Sequence, residues 1–150
     1  MNIEHALNRE GNFRNENHKA VVNIQFSGLW LQEKMSKDLL HYNLSYPQYN
    51  IIRILHRAGN PLSTLQIRQR MMDKMSDTSR IVDRLVEKKL VKKTISKKDK
   101  RLVDVVLSAK GKALIKILEK EIDPKVDKLT GKLTTAEAKI LNTLLDKMRG

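Results

Sequence analysis

The chain has 150 residues, 40% of them hydrophobic and none of them cysteine, so it can close one hydrophobic core but has no disulfide, thiolate metal site or thiol sensor. Its 30 Lys and Arg against 17 Asp and Glu leave a formal charge of +13, which suits a polyanionic partner, either nucleic acid or an anionic membrane. No stretch approaches the roughly 20 apolar residues that span a bilayer, and residues 1–17 lack the apolar run of a signal peptide, so the expectation is a soluble cytoplasmic protein of one domain, residues 1–150.

Residues 1–14 are polar and rich in Asn, with Gly11 among them, and read as a flexible arm. From His18 to His41, Val21, Ile24, Leu29, Leu31, Met35 and Leu39 recur at helical spacing and predict one long helix. Phe26 and Trp30 widen its apolar surface beyond one face, so part of it calls for a partner subunit.

Ser45 with Gln48 forms a capping box and Pro47 sits in the first turn, which predicts a helix to about Arg57, stopped by Ala58-Gly59-Asn60-Pro61. Ser63 with Gln66 repeats the box and opens a short helix to about Met71. Ser76 reads as the N-cap of the next helix, whose apolar stripe is Ile81, Val82, Leu85 and Val86. Two short helices joined by the turn from Met72 to Met75, the second amphipathic and basic outside, make a helix-turn-helix. The β-branched runs Val91–Ile95 and Leu102–Leu107 with a polar tip between them predict a hairpin, the wing.

Ser108 caps a further helix carrying Ala113, Leu114, Ile117 and Leu118, which Pro124 kinks or restarts. Thr134 with Glu137 opens a last helix with Ile140, Leu141, Leu144, Leu145 and Met148 on its apolar side. The expected fold is α+β, mostly α. It is a winged helix-turn-helix at residues 45–108 with dimerisation helices at 15–42 and 109–150.

The structural setting of the charge points to nucleic acid. Lys88, Lys89, Lys92, Lys93, Lys97, Lys98, Lys100 and Arg101 crowd one segment opposed only by Asp99, and that segment is the wing. A recognition helix presents its N-terminal turns to base edges, so Ser76, Ser79, Arg80 and Arg84 are the expected readers. At 100° per residue Thr78 falls beside Ile81 and Leu85 on the buried side, while Arg80 and Arg84 project outward. The planar fork of Arg80 can pair with both acceptors of guanine. Lys97, Lys98, Lys100 and Arg101 are expected on the DNA backbone, with Arg101 in the minor groove and Asp99 aiming it through a salt bridge. Asp77 and Asp83 read as helix-dipole or solvated carboxylates, since phosphates repel them.

The segments Ser76-Asp77-Thr78-Ser79-Arg80-Ile81-Val82-Asp83-Arg84-Leu85, Leu90-Val91, Asp99-Lys100-Arg101 and Leu107-Ser108-Ala109-Lys110-Gly111 resemble the MarR-type bacterial regulators, over nearly the whole chain. The resemblance implies a homodimer joined by its N- and C-terminal helices, a pseudo-palindromic operator, repression, and relief by a small molecule. Ser79 and Arg80 match positions that contact DNA in that family, and Asp99 and Arg101 match its wing pair. Two positions depart from the pattern: Lys89 stands where a glycine commonly ends the recognition helix, and Lys93 where an arginine often begins the wing.

Trp30, His41, Tyr42, Tyr46 and Tyr49 fall where the first helix meets the reading unit, and two readings stand side by side: ordinary core packing, and the lining of an effector pocket. The scattered histidines His5, His18, His41 and His56 have no metal-ligand spacing, and the six isolated glycines form no phosphate-cradling loop. No metal, cofactor or catalytic residue is therefore expected. The competing function is a non-specific architectural or membrane-surface protein driven by charge alone.

Overall fold

The computed structural model describes residues 2–8, 13–96, 100 and 103–150. The chain falls into two compact units, Met1–Asn43 and Leu44–Gly150.

The first unit holds α1 (Ile3–Ala6) and α2 (Glu16–Leu40). The arm expected to be without structure thus contains one turn of helix, although residues 9–12 lie outside the described residues. Asn2 caps that turn through a hydrogen bond from the His5 amide (2.9 Å), and Ile3 is buried. Ile3 and Ala6 share a hollow with Phe26 and Trp30 of α2, and Lys19 pairs with Glu4 at 2.9 Å. A short apolar anchor and one ion pair give the arm its purchase, which its polar composition conceals. The Asn15 carboxamide accepts from the His18 amide (2.9 Å) and starts α2.

The second unit runs α3 (Tyr46–Ala58), β1 (Leu62–Ser63), α4 (Thr64–Arg70), α5 (Thr78–Glu87), β2 (Val91–Ile95), β3 (Val103–Leu107), α6 (Ala109–Glu121), α7 (Asp123–Leu129) and α8 (Thr135–Arg149). Capping boxes begin α3, α4 and α8 at Ser45, Ser63 and Thr134. Each ties two otherwise orphan donors at a helix start. Gly59 ends α3 in the left-handed region (φ +65), as its position before Pro61 predicts. Pro124 restarts the helix, dividing α6 from α7.

The sheet has strand order β1-β3-β2, antiparallel throughout, with Val91 opposite Leu107, Lys93 opposite Val105 and Ile95 opposite Val103. The hairpin is the expected wing. The two-residue β1 was not anticipated, because so short a strand exists only by pairing Leu62 with Val105. Tyr49, Ile51, Ile52, Leu55, Leu62, Ile67, Val82, Leu85, Val105, Ile115 and Leu118 form the buried core. Each such side chain contributes about 1.5–3 kcal/mol of transfer free energy, and together they hold α3, α4, α5, β3 and α6 in one body.

Candidate nucleic-acid interface

The helix-turn-helix is α4, the turn 71–77, and α5. Local hydrogen bonds fix the turn: Arg68 Nε donates to the Lys74 carbonyl (3.2 Å), and Lys74 Nζ to the Gln69 carbonyl (3.3 Å). Asp73 gathers the other side, accepting from the Met75 amide (2.9 Å) and from the Ser76 hydroxyl (2.6 Å). These bonds, the Ser76 hydroxyl first, hold the Asp73 carboxyl below its ordinary range.

The N-cap of α5 is Asp77 rather than Ser76. Its carboxylate accepts from the Arg80 amide (3.1 Å). Competition explains the difference: the Ser76 hydroxyl is spent on Asp73, and a carboxylate is the stronger acceptor at the positive end of a helix. Ser76 is half-buried with its donor already used, which weakens its expected role as a reader of base edges.

Along α5, Thr78, Val82 and Leu85 are buried, and the Thr78 hydroxyl faces the thioether of buried Met71 (3.4 Å). Ser79, Arg80, Asp83 and Arg84 are exposed. The helical periodicity therefore sorted the two faces as anticipated except at Ile81, which was expected on the buried side but is half-buried and lines the outer hollow. Arg80 and Arg84 lie one turn apart and line a hollow with Ser76, Asp77 and Ile81. Among the described residues neither guanidinium has an ion-pair partner. Like charges four residues apart on a helix repel by about 0.2–0.5 kcal/mol, so this face favours an incoming anion. Asp83 does not stand free beside them: Lys93 of β2 donates to it at 2.5 Å, joining helix to wing.

In the wing, Lys92, Lys93 and Lys100 are exposed. Lys97, Lys98, Asp99 and Arg101, the expected wing contacts and salt bridge, lie outside the described residues.

The far end of α5 is clamped. Lys89 adopts φ +59, and the Leu90 amide reaches back to the Leu85 carbonyl (2.9 Å) while the Lys89 amide reaches Val86 (2.8 Å). This paired closure normally uses glycine. The Ser108 hydroxyl donates to the Lys89 carbonyl (2.7 Å), and Lys110 Nζ donates to the Lys88 carbonyl (3.1 Å). Sequence reasoning gave Ser108 as the cap of α6, where it accepts from the Gly111 amide (3.0 Å), but missed the link from Lys110 to the recognition helix, which spans 22 residues of chain.

The five aromatic positions divide between the units: Trp30, His41 and Tyr42 in the first, Tyr46 and Tyr49 in the second. Trp30 is 38% exposed, not a core residue. Tyr49 is buried, and its hydroxyl accepts from Arg53 (2.9 Å) and lies 3.4 Å from the Asp123 carboxylate. Burial pushes the Tyr49 phenol up, against the opposing effect of Arg53. The Tyr46 hydroxyl donates to the Met72 thioether (3.2 Å). Among the described residues no cluster of three or more His, Asp or Glu could hold a metal, and no helix is long and apolar enough to cross a membrane.

Residues 44–103 match the MarR family model. A MarR-like transcription regulator from Bacillus cereus shares 24% identity, covering 89% of this chain and 96% of its own, with a TM-score of 0.79. The organohalide-sensing regulator RdhR, solved with 2,4-dichlorophenol, is 24% identical over 93% of this chain and 83% of its own, with a TM-score of 0.78. A MarR mutant from E. coli in complex with operator DNA is 22% identical over 83% of this chain and 89% of its own, with a TM-score of 0.76. Among curated protein sequences none matches the chain. Residues 44–103 are thus similar to the MarR family, and the chain as a whole has the fold of the MarR-type regulators.

Proposed function

We propose that this protein is a sequence-specific, double-stranded-DNA-binding transcription regulator: a homodimeric repressor of a pseudo-palindromic operator, relieved by a small-molecule effector. The observation that carries the reading is the exposed, unneutralised pair Arg80 and Arg84 on the outer face of α5. Arg80 reads base edges, and Ser79 and the wing cations Lys97, Lys98 and Lys100 hold phosphates. Arg101 enters the minor groove, steadied by Asp99.

The dimer reading rests on α8, which buries no residue and exposes Ile140, Leu141, Leu144 and Met148, and on the exposed Val21, Ile24 and Leu29 of α2. Uncovered apolar helix faces of this kind seek a partner, and a second copy would set the two recognition helices about 34–36 Å apart. Operator binding by the E. coli relative and the dichlorophenol held by RdhR support repression with an effector.

Selection from random duplex DNA tests the whole reading. A two-fold repeated site with one DNA turn between half-sites is expected. Indifference to sequence would instead support an architectural protein that reads charge alone.

A further inference from the structure

The turn between α4 and α5 contains three of the six methionines of a chain without cysteine, and their environments differ sharply. Met71 is buried, 2% exposed, against the Thr78 hydroxyl. Met75 and Met72 are 89% and 76% exposed, higher than any other exposed large apolar side chain among the described residues. Of the other described methionines outside the turn, Met148 is 55% exposed and Met35 is half-buried. An exposed thioether gains nothing from burial but is open to two-electron oxidants.

We propose that Met72 and Met75 are an oxidant-responsive modification site: a hypohalous acid converts them to sulfoxides, and the modified turn lowers affinity for DNA. With hypochlorous acid the step is R–S–CH3 + HOCl → R–S(O)–CH3 + H+ + Cl−. Sulfur loses two electrons and gains an S–O bond. The O–Cl bond breaks, chlorine leaves as chloride, and the proton goes to water.

Geometry connects the step to the reading helix. Met75 lines a hollow of about 440 Å³ with Arg68, Ser76, Asp77 and Ser79, at the entrance to α5. A sulfoxide oxygen there is a strong acceptor beside the Arg68 guanidinium. It competes with a phosphate for that cation and sets its negative end toward the anion. At Met72 the Tyr46 hydroxyl already donates to the sulfur (3.2 Å), and a sulfoxide oxygen, a stronger acceptor one bond farther out, takes over that hydrogen bond and shifts the turn relative to α3. Met71, in the same segment but sealed, is the internal control.

The proposal rests on the DNA-binding reading, and the test separates the two. The full-length protein is treated with graded hypochlorous acid and quenched with free methionine. Peptide mass spectrometry maps each sulfoxide while titration measures affinity for the duplex selected above. Sulfoxide is expected first at Met75 and Met72, with Met71 spared and affinity falling about tenfold, the equivalent of roughly 1.4 kcal/mol. The loss should track those two sites rather than Met35 or Met148, and methionine sulfoxide reductase should restore binding. The Met72→Leu/Met75→Leu variant should lose no affinity on treatment. Unchanged affinity with both sulfoxides formed, or equal oxidant sensitivity in the double variant, overturns the proposal. Failure of the untreated protein to select any duplex overturns the DNA-binding reading itself.

Discussion

Gly111 of α6 lies against the carbonyl of Leu90, just beyond the recognition helix, so closely that a Cβ added at Gly111 would stand 2.1 Å from the Leu90 oxygen. The oxygen belongs to backbone held by the Ser108 amide and hydroxyl (3.0 and 3.1 Å), so it has little room to retreat. Gly111→Ala should therefore destabilise the second unit by at least about 1–3 kcal/mol, the usual cost of overpacking. Urea denaturation followed by circular dichroism reads this directly, and a wild-type midpoint would contradict the close approach.

Lys89 gives the opposite sign. A side chain at φ +59 carries strain that glycine lacks, and nothing else about the closure of α5 needs lysine there. Lys89→Gly should raise stability by about 1 kcal/mol or slightly less, with the urea slope unchanged. A loss would show that the ammonium contributes more than the backbone strain costs.

Tyr49 should make stability fall at alkaline pH. Burial holds its phenol above the ordinary value of 10.0, so the folded chain keeps the proton more tightly than the unfolded one. The contribution is fully present below pH 10 and is lost as pH rises through the folded value. In Tyr49→Phe the part of the decline due to this group should vanish, as measured by urea midpoints between pH 8 and 11.

Leu144→Asp on α8 tests the subunit contact. A carboxylate at a position 58% exposed in the single chain should barely alter its folding, but it would be buried unpaired in a dimer. Light scattering should show a dimer for the parent and a monomer for the variant at micromolar concentration. A dimeric variant would place the interface elsewhere.

The basic residues should separate by salt and sequence. Arg80→Ala should lose about 1–3 kcal/mol on the selected duplex and relax preference at one position per half-site. Lys97→Ala should weaken selected and random duplex alike and lower the slope of log K against log salt by about one. Arg101→Ala should hurt A·T-rich flanks most, and Asp99→Ala should reproduce part of that defect. Equal losses for Arg80→Ala and Lys97→Ala on both duplexes would mean that charge alone is read.

The amino-acid sequence determined the order and limits of nearly every helix, because caps and periodicity are local: Ser45 and Gln48, or Thr134 and Glu137, need only each other. It also separated the two faces of α5, since 100° per residue sets Thr78, Val82 and Leu85 apart from Arg80 and Arg84 whatever they pack against. Tertiary structure decided what depends on partners distant in sequence. The cap of α5 passed to Asp77 because Asp73 claimed Ser76, and the two residues of β1 became a strand because Val105 came beside Leu62. Lys110 and Gly111 closed on the end of the recognition helix, and Arg53 met Asp123 across 70 residues of chain. No local pattern encodes such pairs, because their free energy appears only once the chain between them has been ordered.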